Sequence, residues 1–307
     1  MTEQTHQEIS ESANLWKYVE KHKPQIENAL QKHLPLAPTN IETQFNEAVQ
    51  YALFPGGKRL RPVLTLLGAE LVGGNAENVL PAAVAVEFVH TSSLIFDDLP
   101  CMDNSEKRRG KTSLHEKFGE GLAVLVGLGF LNASYALVFV NHSNLPERAM
   151  QAHAEIVECV GASGMIGGQA VDLALANGVS APYFSIQNYQ SESIRNLKTS
   201  ALMRLALRTG AILAGADYLQ LASLSRFSEL LGDAYQLSDD LIDLQEDSQI
   251  FNQNQMTFAL NQGQEMARLQ LNKLVTEAKN ILLNNFSPSE SRENLLQLTD
   301  YLATRKA

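Results

Sequence analysis

Two clusters of aspartates, far apart in the chain, have the residue type and spacing that metal-assisted chemistry needs. Their members are Asp97, Asp98 and Asp103 in the first cluster and Asp239, Asp240 and Asp243 in the second. Each cluster follows an apolar stretch, where a carboxylate is costly to bury unless a positive charge neutralises it. Carboxylate oxygens suit Mg²⁺, which also reaches the phosphates of a substrate. If both clusters face one cavity, they could hold several divalent ions around a diphosphate.

The spacing within each cluster indicates how its carboxylates would be presented. Asp239 and Asp243 are four residues apart, so on a helix they lie on one face and can share an ion or one of its waters. Asp97 and Asp103 are six residues apart, which places them on separate faces of an unbroken helix. Pro100 lies between them and disfavours the helical conformation just before it. We therefore expect the helix to loosen there and the loop to bring Asp103 back towards Asp97.

Basic residues gather at two places that would suit phosphate binding. The segment Gly56-Gly57-Lys58-Arg59-Leu60-Arg61 sets two glycines before three cations. Glycine lets the backbone approach an anion closely, and arginine can donate paired hydrogen bonds to phosphate. The segment Arg108-Arg109-Gly110-Lys111 directly follows the first aspartate cluster, which favours a diphosphate clamp over a solvated loop. His90 lies two turns before Asp97 and could face the same cavity; Lys198 is isolated and carries little weight alone.

Each of these patterns also has a simpler interpretation. An Asp-Asp pair can be a helix-end cap, and clustered cations can be a solvated helix start. Glu87-x-x-His90 is half of a di-iron signature, but a second copy in the core is missing from the sequence. The two cysteines, Cys101 and Cys159, are too few for a zinc site. There is no nucleotide-binding P-loop and no Ser-His-Asp signature. The joint occurrence of the acidic and basic clusters favours diphosphate chemistry.

Composition and charge limit the class of protein. The chain has 307 residues, of which 45% are hydrophobic, and no linker-like segment divides it, so we expect one domain over residues 1–307. A net charge of −10 argues against a nucleic-acid partner. The polar start has no signal-peptide pattern, which predicts a cytoplasmic location. Residues 121–140 carry no charge and could span a bilayer by length, but their polar residues and glycines favour a helix buried in a bundle, so no transmembrane span is expected.

Apolar residues recur at three- and four-residue spacing through most of the chain, which predicts an all-α bundle of about ten or more helices. Short Gly- and Pro-containing breaks separate the periodic segments. No alternating stretch predicts a strand. The predicted helices are residues 41–53, 61–71, 82–96, 122–140, 149–165, 186–213, 227–244, 265–283 and 293–302.

Taken together, these segments resemble the trans-prenyl diphosphate synthase family, and in particular its short-chain bacterial branch of farnesyl and geranylgeranyl diphosphate synthases. The matching stretches run in the family's order across nearly the whole chain. They are residues 54–62, 90–103, 108–111, 115–119, 167–172, 198–199 and 235–243. The resemblance implies an all-α bundle around a deep central cavity, usually assembled as a homodimer.

The resemblance also implies an activity, the joining of isopentenyl diphosphate to an allylic diphosphate. It gives a role in that reaction to each residue that matches the family's motifs. The metal ligands would be Asp97, Asp103 and Asp239 for three Mg²⁺ ions, which Mn²⁺ could replace, with Asp98, Asp240 and Asp243 acting through water. The allylic diphosphate would be bound by Arg108, Lys198 and Gln236. The diphosphate of isopentenyl diphosphate would be bound by Lys58, Arg61, His90 and Arg109. Thr199 and Gln169 match positions that line the reacting centre. Pyrophosphate leaves and would accept the last proton.

Several positions depart from the family pattern. Near the first acidic motif they are Phe96 in place of a common His, and Asn104, Ser105 and Glu106 in a thinned acidic run. Further along the chain, Leu128 stands in place of a common Asp. In the shortened segment 245–258, Gln255 occupies the position of a lysine. The loss of that cation is expected to weaken binding of the allylic substrate or to slow its ionisation.

Product length depends, in the resembled family, on a large residue about one turn before the first aspartate. Ser92 and Ser93 are small at these positions, and Phe88 lies one further turn away, which would leave room for a C20 product. The resemblance to bacterial farnesyl enzymes favours C15, so farnesyl diphosphate is the expected main product and geranylgeranyl diphosphate the alternative.

Two other functions stay open at this point. A terpene cyclase would share the fold and the metal chemistry but would not need Lys58, Arg61 and Arg109. A catalytically weak regulatory partner of another prenyl synthase would fit Gln255 and the short segment, but not two intact acidic motifs.

Overall fold

Helices make up almost all of the structure, a computed structural model that describes residues 14–38, 40, 44–54, 56–142, 144–176, 189–246 and 263–305. The prediction of an all-α bundle of ten or more helices is confirmed. The helices are α1 (Leu15–Lys32), α2 (Phe45–Leu53), α3 (Leu60–Leu71), α4 (Leu80–Asp97), α5 (Leu114–Phe118), α6 (Glu120–Leu137), α7 (Pro146–Val160), α8 (Met165–Ala176), α9 (Tyr189–Ala214), α10 (Tyr218–Glu246), α11 (Gln264–Asn285) and α12 (Glu290–Thr304).

Two short elements interrupt this pattern. A 3₁₀ helix, Ala76–Val79, leads into α4, and an antiparallel pair of two-residue strands, β1 (Lys107–Arg108) and β2 (Lys111–Thr112), lies between α4 and α5. The prediction that the chain has no strand is therefore wrong at this hairpin. Strands of two residues are too short for alternating polarity to reveal them.

Helix α4 lies at the centre of the bundle. Pro81 occupies its first turn, where a missing backbone N–H costs nothing. Its side chains are buried without interruption from Pro81 to Ser92, because α1, α3, α6 and α9 pack around it. A helix that is apolar on all sides is stable in water only when neighbours cover it in this way. Asp97, the last residue of α4, is therefore held at the edge of a rigid core.

Helices α3 and α9 approach each other unusually closely. A Cβ atom at Gly68 of α3 would overlap the carbonyl oxygen of Leu207, and a Cβ at Gly210 of α9 would overlap that of Thr65. Only glycine permits such backbone contact. This contact fixes the position of α3, which begins with the basic segment, against the long helix that also packs on α7, α8 and α10.

Helix α6 departs from the expectation that residues 121–140 are buried inside the bundle. One face, with Ala123, Val126 and Phe130, packs in the core, but Leu125 is 57% exposed and Leu128 is 49% exposed. By length and composition, two described helical segments could cross a membrane: Ala76–Asp97, which is 78% buried, and Glu120–Leu137, which is 33% buried. The bundle explains the apolar character of the first. It leaves an uncovered apolar face on the second.

Candidate functional site

The first acidic motif forms a loop that folds back on the end of α4. Asp98 caps the helix, the N–H of Asp103 donates to the carbonyl of Asp97 at 2.9 Å, and the N–H of Ser105 donates to that of Asp98 at 3.1 Å. The expectation that the chain turns back after the Asp pair is confirmed. Asp97 and Asp98 are buried, while Asp103 is exposed. The loop therefore presents carboxylates from both its rigid base and its solvent side.

The β1–β2 hairpin separates the two arginines of the basic segment. Arg109 and Gly110 form its turn with φ of 52° and 76°, the left-handed pair that a two-residue hairpin turn requires. Arg108 turns towards the acidic loop, where its Nε donates to Asp98 Oδ1 at 2.9 Å and its Nη2 donates to the same oxygen. This hydrogen bond to Asp98 raises the pKa of Arg108. Arg108 is thus tied to the acidic motif.

Arg109 instead joins Arg61 at the side chain of His90. His90 Nε2 lies 3.3 Å from Arg61 Nη1 and 3.3 Å from Arg109 Nη2. Because both guanidiniums can only donate, the shared nitrogen must be an acceptor. Burial lowers the pKa of His90 well below its usual range, and the nearby arginines lower it further. A neutral imidazole therefore holds the two arginines together.

The positive charge of the Arg61–His90–Arg109 cluster is not paired with a neighbouring carboxylate from the described part of the chain. Within the described residues, neither guanidinium has a carboxylate at salt-bridge distance. The Nε of Arg61 is buried without a hydrogen-bond partner, and such a donor is costly unless something satisfies it. Burial lowers the pKa of Arg61, the carboxylate of Glu87 acts in the opposite direction, and Arg109 lowers it again. The cluster therefore has the charge and the donor groups that anion binding requires.

Lys58 lies at the open side of the basic segment. Its Nζ donates to the hydroxyl of Tyr301 at 3.2 Å and lies 5.3 Å from the ring centre of Trp16 and 5.5 Å from that of Tyr301. The residue is exposed. Aromatic faces attract a cation without neutralising it. Lys58 therefore lies where an anion can reach it.

The second acidic motif is held by a residue near the end of the chain. Arg305 Nη2 donates to Asp239 Oδ1 at 2.6 Å and to the carbonyl of Tyr235 at 2.7 Å. Its Nε donates to Ser238 Oγ at 2.6 Å, and its guanidinium lies 4.2 Å from the ring centre of Tyr235. Arg305 was not predicted from the sequence, because a single arginine after a helix has no motif around it.

Each acidic motif has its own set of cation contacts. At the first motif, Arg108 binds Asp98, and the adjoining Arg109 joins His90 and Arg61. At the second motif, about 140 residues later in sequence, Arg305 binds Asp239 and the carbonyl of Tyr235. Helix α12 packs against both α3, which carries Arg61, and α10, which carries Asp239.

The remaining site candidates have fewer described contacts. Gln236 Nε2 donates to Asp240 Oδ1 at 3.4 Å, and Gln169 Nε2 lies 3.9 Å from Met102 Sδ beside the acidic loop. Thr199 lies half-buried on α9. Helix α9 includes Lys198 and α10 includes Asp243, but these two side chains lie outside the described residues. Gln255 also lies outside them.

The donor chemistry of the acidic motifs fits a hard divalent cation. All candidate ligands are carboxylate oxygens, which Mg²⁺ prefers. In the described part of the chain, no three His, Cys, Asp or Glu side chains converge on one point. An arginine already neutralises one carboxylate in each motif, Arg108 at Asp98 and Arg305 at Asp239. Both motifs thus have cations beside them.

A helical bundle that carries two aspartate motifs, each with arginines beside it, is typical of the isoprenoid synthases. The family model described as polyprenyl synthetase matches residues 42–298. The chain therefore belongs to the polyprenyl synthetase family.

Two relatives are similar in sequence to this chain over most of its length. A chloroplastic geranylgeranyl pyrophosphate synthase of Capsicum annuum is 36% identical over 269 residues, which cover 85% of this chain and 71% of the relative. The large subunit 1 of a chloroplastic heterodimeric geranylgeranyl pyrophosphate synthase of Arabidopsis thaliana is 35% identical over 293 residues, which cover 92% of this chain and 76% of the relative.

Solved structures share the fold. An apo FPP/GFPP synthase from Zymomonas mobilis has a TM-score of 0.83 and 31% identity, covering 95% of this chain and 99% of its own. A geranyltransferase from Legionella pneumophila has a TM-score of 0.78 and 28% identity, covering 94% of this chain and 96% of its own. The protein is thus a prenyltransferase of the short-chain trans family.

Proposed function

We propose that this protein is a Mg²⁺-dependent synthase that condenses isopentenyl diphosphate with an allylic diphosphate and makes geranylgeranyl diphosphate as its main product. The observation that carries this proposal is the pairing of Arg61 and Arg109 on a neutral His90, beside Arg108 on Asp98. The first pair offers a diphosphate site without metal ligands. Arg108 offers a second one next to carboxylates. Two substrates with diphosphate groups need both.

Each side chain then has a task in the reaction. Lys58, Arg61 and Arg109 bind isopentenyl diphosphate and aim its double bond at the allylic carbon. Arg108 donates to the allylic diphosphate as it leaves and stabilises its growing charge. Metal ions held by Asp97, Asp103 and Asp239 would supply further stabilisation of that charge. The apolar core beside α4 excludes water from the allylic cation. The departing pyrophosphate takes up the proton that the condensed product loses.

The C20 product is favoured over the farnesyl diphosphate expected from sequence. Two relatives with geranylgeranyl in their names cover most of the chain. Ser92 is small and buried about one and a half turns before the end of α4, so it does not block a growing chain. Phe88 is fully buried and packs on Phe130 with ring centres 5.0 Å apart. At 1.5 Å per residue, this aromatic pair would set a floor about 13 Å below Asp97.

Farnesyl diphosphate remains the second candidate, because the Zymomonas mobilis structure is named as an FPP/GFPP synthase. The decisive experiment is incubation of the pure protein with Mg²⁺, labelled isopentenyl diphosphate and, separately, dimethylallyl, geranyl and farnesyl diphosphate. A labelled C20 chain as the end product supports the proposal, and a labelled C15 end product supports the second candidate. Unlabelled cyclic products would indicate a cyclase, and no product from any primer would indicate a regulatory partner.

We further propose a homodimer that uses the uncovered apolar face of α6. Leu125 and Leu128 are exposed on this helix, and Met150 and Val157 are exposed on α7. Exposed apolar side chains grouped on a helix face are typical of protein interfaces. A cytoplasmic location stays a prediction, to be tested by imaging the tagged protein in its own cell.

A further inference from the structure

Arg59 stands between two proposed substrate-binding residues, Lys58 and Arg61, but points away from their side. It is only 3% exposed. Its backbone has φ of 52° and ψ of 35°. Residues other than glycine adopt this left-handed conformation only at a cost in free energy. It is also the residue that precedes α3 as its N-cap. A buried arginine in a strained conformation at this position must be held by strong contacts.

Four hydrogen bonds hold the Arg59 guanidinium. Its Nε donates to Glu27 Oε1 at 2.8 Å and its Nη2 to Glu27 Oε2 at 3.2 Å. Its Nη1 donates to Glu87 Oε1 at 2.6 Å, and its Nη2 also donates to the carbonyl of Leu53 at 2.9 Å. These partners belong to α1, α4 and α2. One side chain thus joins three helices beneath the basic segment.

The basic segment rests directly on this guanidinium. A Cβ atom at Gly56 would overlap the Arg59 guanidinium, so the loop that leads to Lys58 lies against it. At the other end, the N–H of Val63 in α3 donates to the carbonyl of Arg59 at 3.2 Å, which ties the residue to the first turn that carries Arg61. The position of Arg59 therefore determines where Lys58 and Arg61 lie.

The same triad adjusts the charge beneath the Arg61–His90–Arg109 cluster. Burial lowers the pKa of Arg59, but its bonds to Glu27 and Glu87 outweigh burial and leave the pKa above its ordinary value. With two carboxylates on one guanidinium, the triad has a net negative charge. Glu87 also favours the charged form of Arg61, while Arg109 opposes it. The triad thus offsets part of the repulsion between Arg61 and Arg109.

We propose that Arg59, held by Glu27 and Glu87, is the positioning residue of the isopentenyl diphosphate site. This inference rests on the proposed function, since it assumes that Lys58, Arg61 and Arg109 bind that diphosphate. Arg59 does not touch the substrate. It sets the geometry of Lys58 and Arg61 and leaves the allylic site, which Arg108 and the acidic motifs form, unaffected.

The test compares Arg59→Gln, Arg59→Lys and Glu27→Gln with Arg292→Lys. Arg292 is an equally buried arginine on α12, paired with Glu293 at 2.9 Å, and serves as the matched control. KM for each substrate, kcat and Tm are measured, together with calorimetric binding of isopentenyl diphosphate without metal. Glu27→Gln leaves the bonds of Arg59 to Glu87 and Leu53 in place, so it keeps the test valid if Arg59→Gln fails to fold.

For Arg59→Gln we expect KM for isopentenyl diphosphate to rise by about tenfold or more, because small misplacements of binding groups have effects of this size. KM for the allylic substrate should change by less than about twofold. Glu27→Gln should give a smaller rise, Arg59→Lys should recover part of the loss, and Arg292→Lys should lower Tm without changing either KM.

Three outcomes would overturn the inference. In the first, folded Arg59 and Glu27 variants keep the wild-type KM for isopentenyl diphosphate. In the second, both KM values rise together, as expected for a general loss of structure. In the third, the wild-type protein neither binds nor incorporates isopentenyl diphosphate. The third also removes the proposed function, whereas the first two leave it intact.

Discussion

Arg305 and Asp239 form an ion pair with 2.6 Å between Nη2 and Oδ1, although 66 residues separate them in sequence. The arginine follows the last residue of α12, and the aspartate lies on α10. Tyr301, one turn earlier on α12, accepts a hydrogen bond from Lys58. The final turn of the last helix therefore contacts both proposed diphosphate sites.

Removal of Arg305 should make the protein respond more strongly to Mg²⁺. In the metal-free protein the guanidinium neutralises Asp239, so Arg305→Met should reduce the free energy of unfolding by about 2 kcal/mol. The rise in Tm on adding Mg²⁺ with pyrophosphate should exceed that of wild type, because binding no longer competes with the guanidinium. Scanning calorimetry with EDTA and with Mg²⁺ measures both effects.

Arg226→Met is the control for this experiment, because Arg226 forms an exposed pair with Glu229 away from the site. It should leave Tm and its response to Mg²⁺ within error of wild type. Equal Mg²⁺ responses in wild type and Arg305→Met would show that Arg305 does not compete with the metal.

His90 should make the free energy of unfolding depend on pH. Burial beside Arg61 and Arg109 keeps the folded-state pKa well below the usual value, whereas the unfolded chain takes up a proton near pH 6.5. The contribution of a neutral His90 is therefore complete above about pH 6.5 and is lost as the pH falls below it. Urea unfolding at pH 7.5 and 5.5 should show a smaller difference in His90→Gln than in wild type.

The comparison isolates His90 because the other shifted histidines are unchanged in both proteins. Burial also lowers the pKa of His22 and His33, so both proteins should keep part of the pH dependence. If the loss of stability at pH 5.5 is equal in the two proteins, the folded-state pKa of His90 is not depressed.

The two hairpin arginines should affect different substrates. Arg109 contacts His90 in the Arg61–His90–Arg109 cluster, and Arg108 contacts Asp98. Arg109→Gln should therefore raise KM for isopentenyl diphosphate, and Arg108→Gln should raise KM or lower kcat for the allylic substrate, each by about tenfold or more. Initial-rate measurements that vary one substrate at a time separate the effects. Lys107→Gln, an exposed residue on the same hairpin, should change neither. Identical profiles for the two arginine variants would contradict separate sites.

Two substitutions on α4, one that adds bulk and one that removes it, should change the length of the product in opposite directions. Ser92→Tyr adds bulk above Phe88 and should shift the main product from C20 to C15, because an isoprene unit and a helical turn have similar lengths of about 5 Å. Phe88→Leu should lengthen the product by opening the floor. Chromatography of dephosphorylated products gives the distribution. A product distribution that neither substitution changes would place the floor elsewhere.

The apolar face of α6 should hold two copies of the chain together. Leu125→Glu or Leu128→Glu places a charge in the proposed interface and should convert a dimer into a monomer, as measured by light scattering after gel filtration. Tyr218→Glu is the matched control, because Tyr218 is 83% exposed on α10 and should not change the mass. A wild-type protein that remains monomeric at high concentration would refute the interface.

Local rules explain why the acidic loop could be predicted. Pro100 and the residue before it cannot continue the helix, and the observed bond from the N–H of Asp103 to the carbonyl of Asp97 follows from that turn. The helices that carry Asp97 and Asp239 could also be predicted, because their apolar residues recur regularly over a long segment.

Contacts over long sequence distances could not be predicted in this way. The Arg305–Asp239 pair spans 66 residues and the Lys58–Tyr301 pair spans 243. Neither has a local pattern, because each depends on where α12 ends against α3 and α10. A cation near a chain end is ordinarily solvated, so only the packed bundle reveals its partner.

Helix α1 and the exposed outer face of α6 were not predicted from the sequence, and the physical reasons differ. Pro24 lies inside α1, and an internal proline normally ends a helix; here Leu15, Tyr18 and Ile26 are buried in the core and stabilise it. Helix α6 is apolar all around, and composition alone does not distinguish a buried face from an interface.

The contacts of Tyr301 and Arg305 have a practical consequence for anyone who purifies this enzyme. A bulky or charged group introduced close to Arg305 would lie beside the arginine that binds Asp239. The start of α1 is equally close to the other proposed site, because Trp16 lies 5.3 Å from Lys58 Nζ. Kinetic work should therefore use protein from which any tag near either residue has been removed.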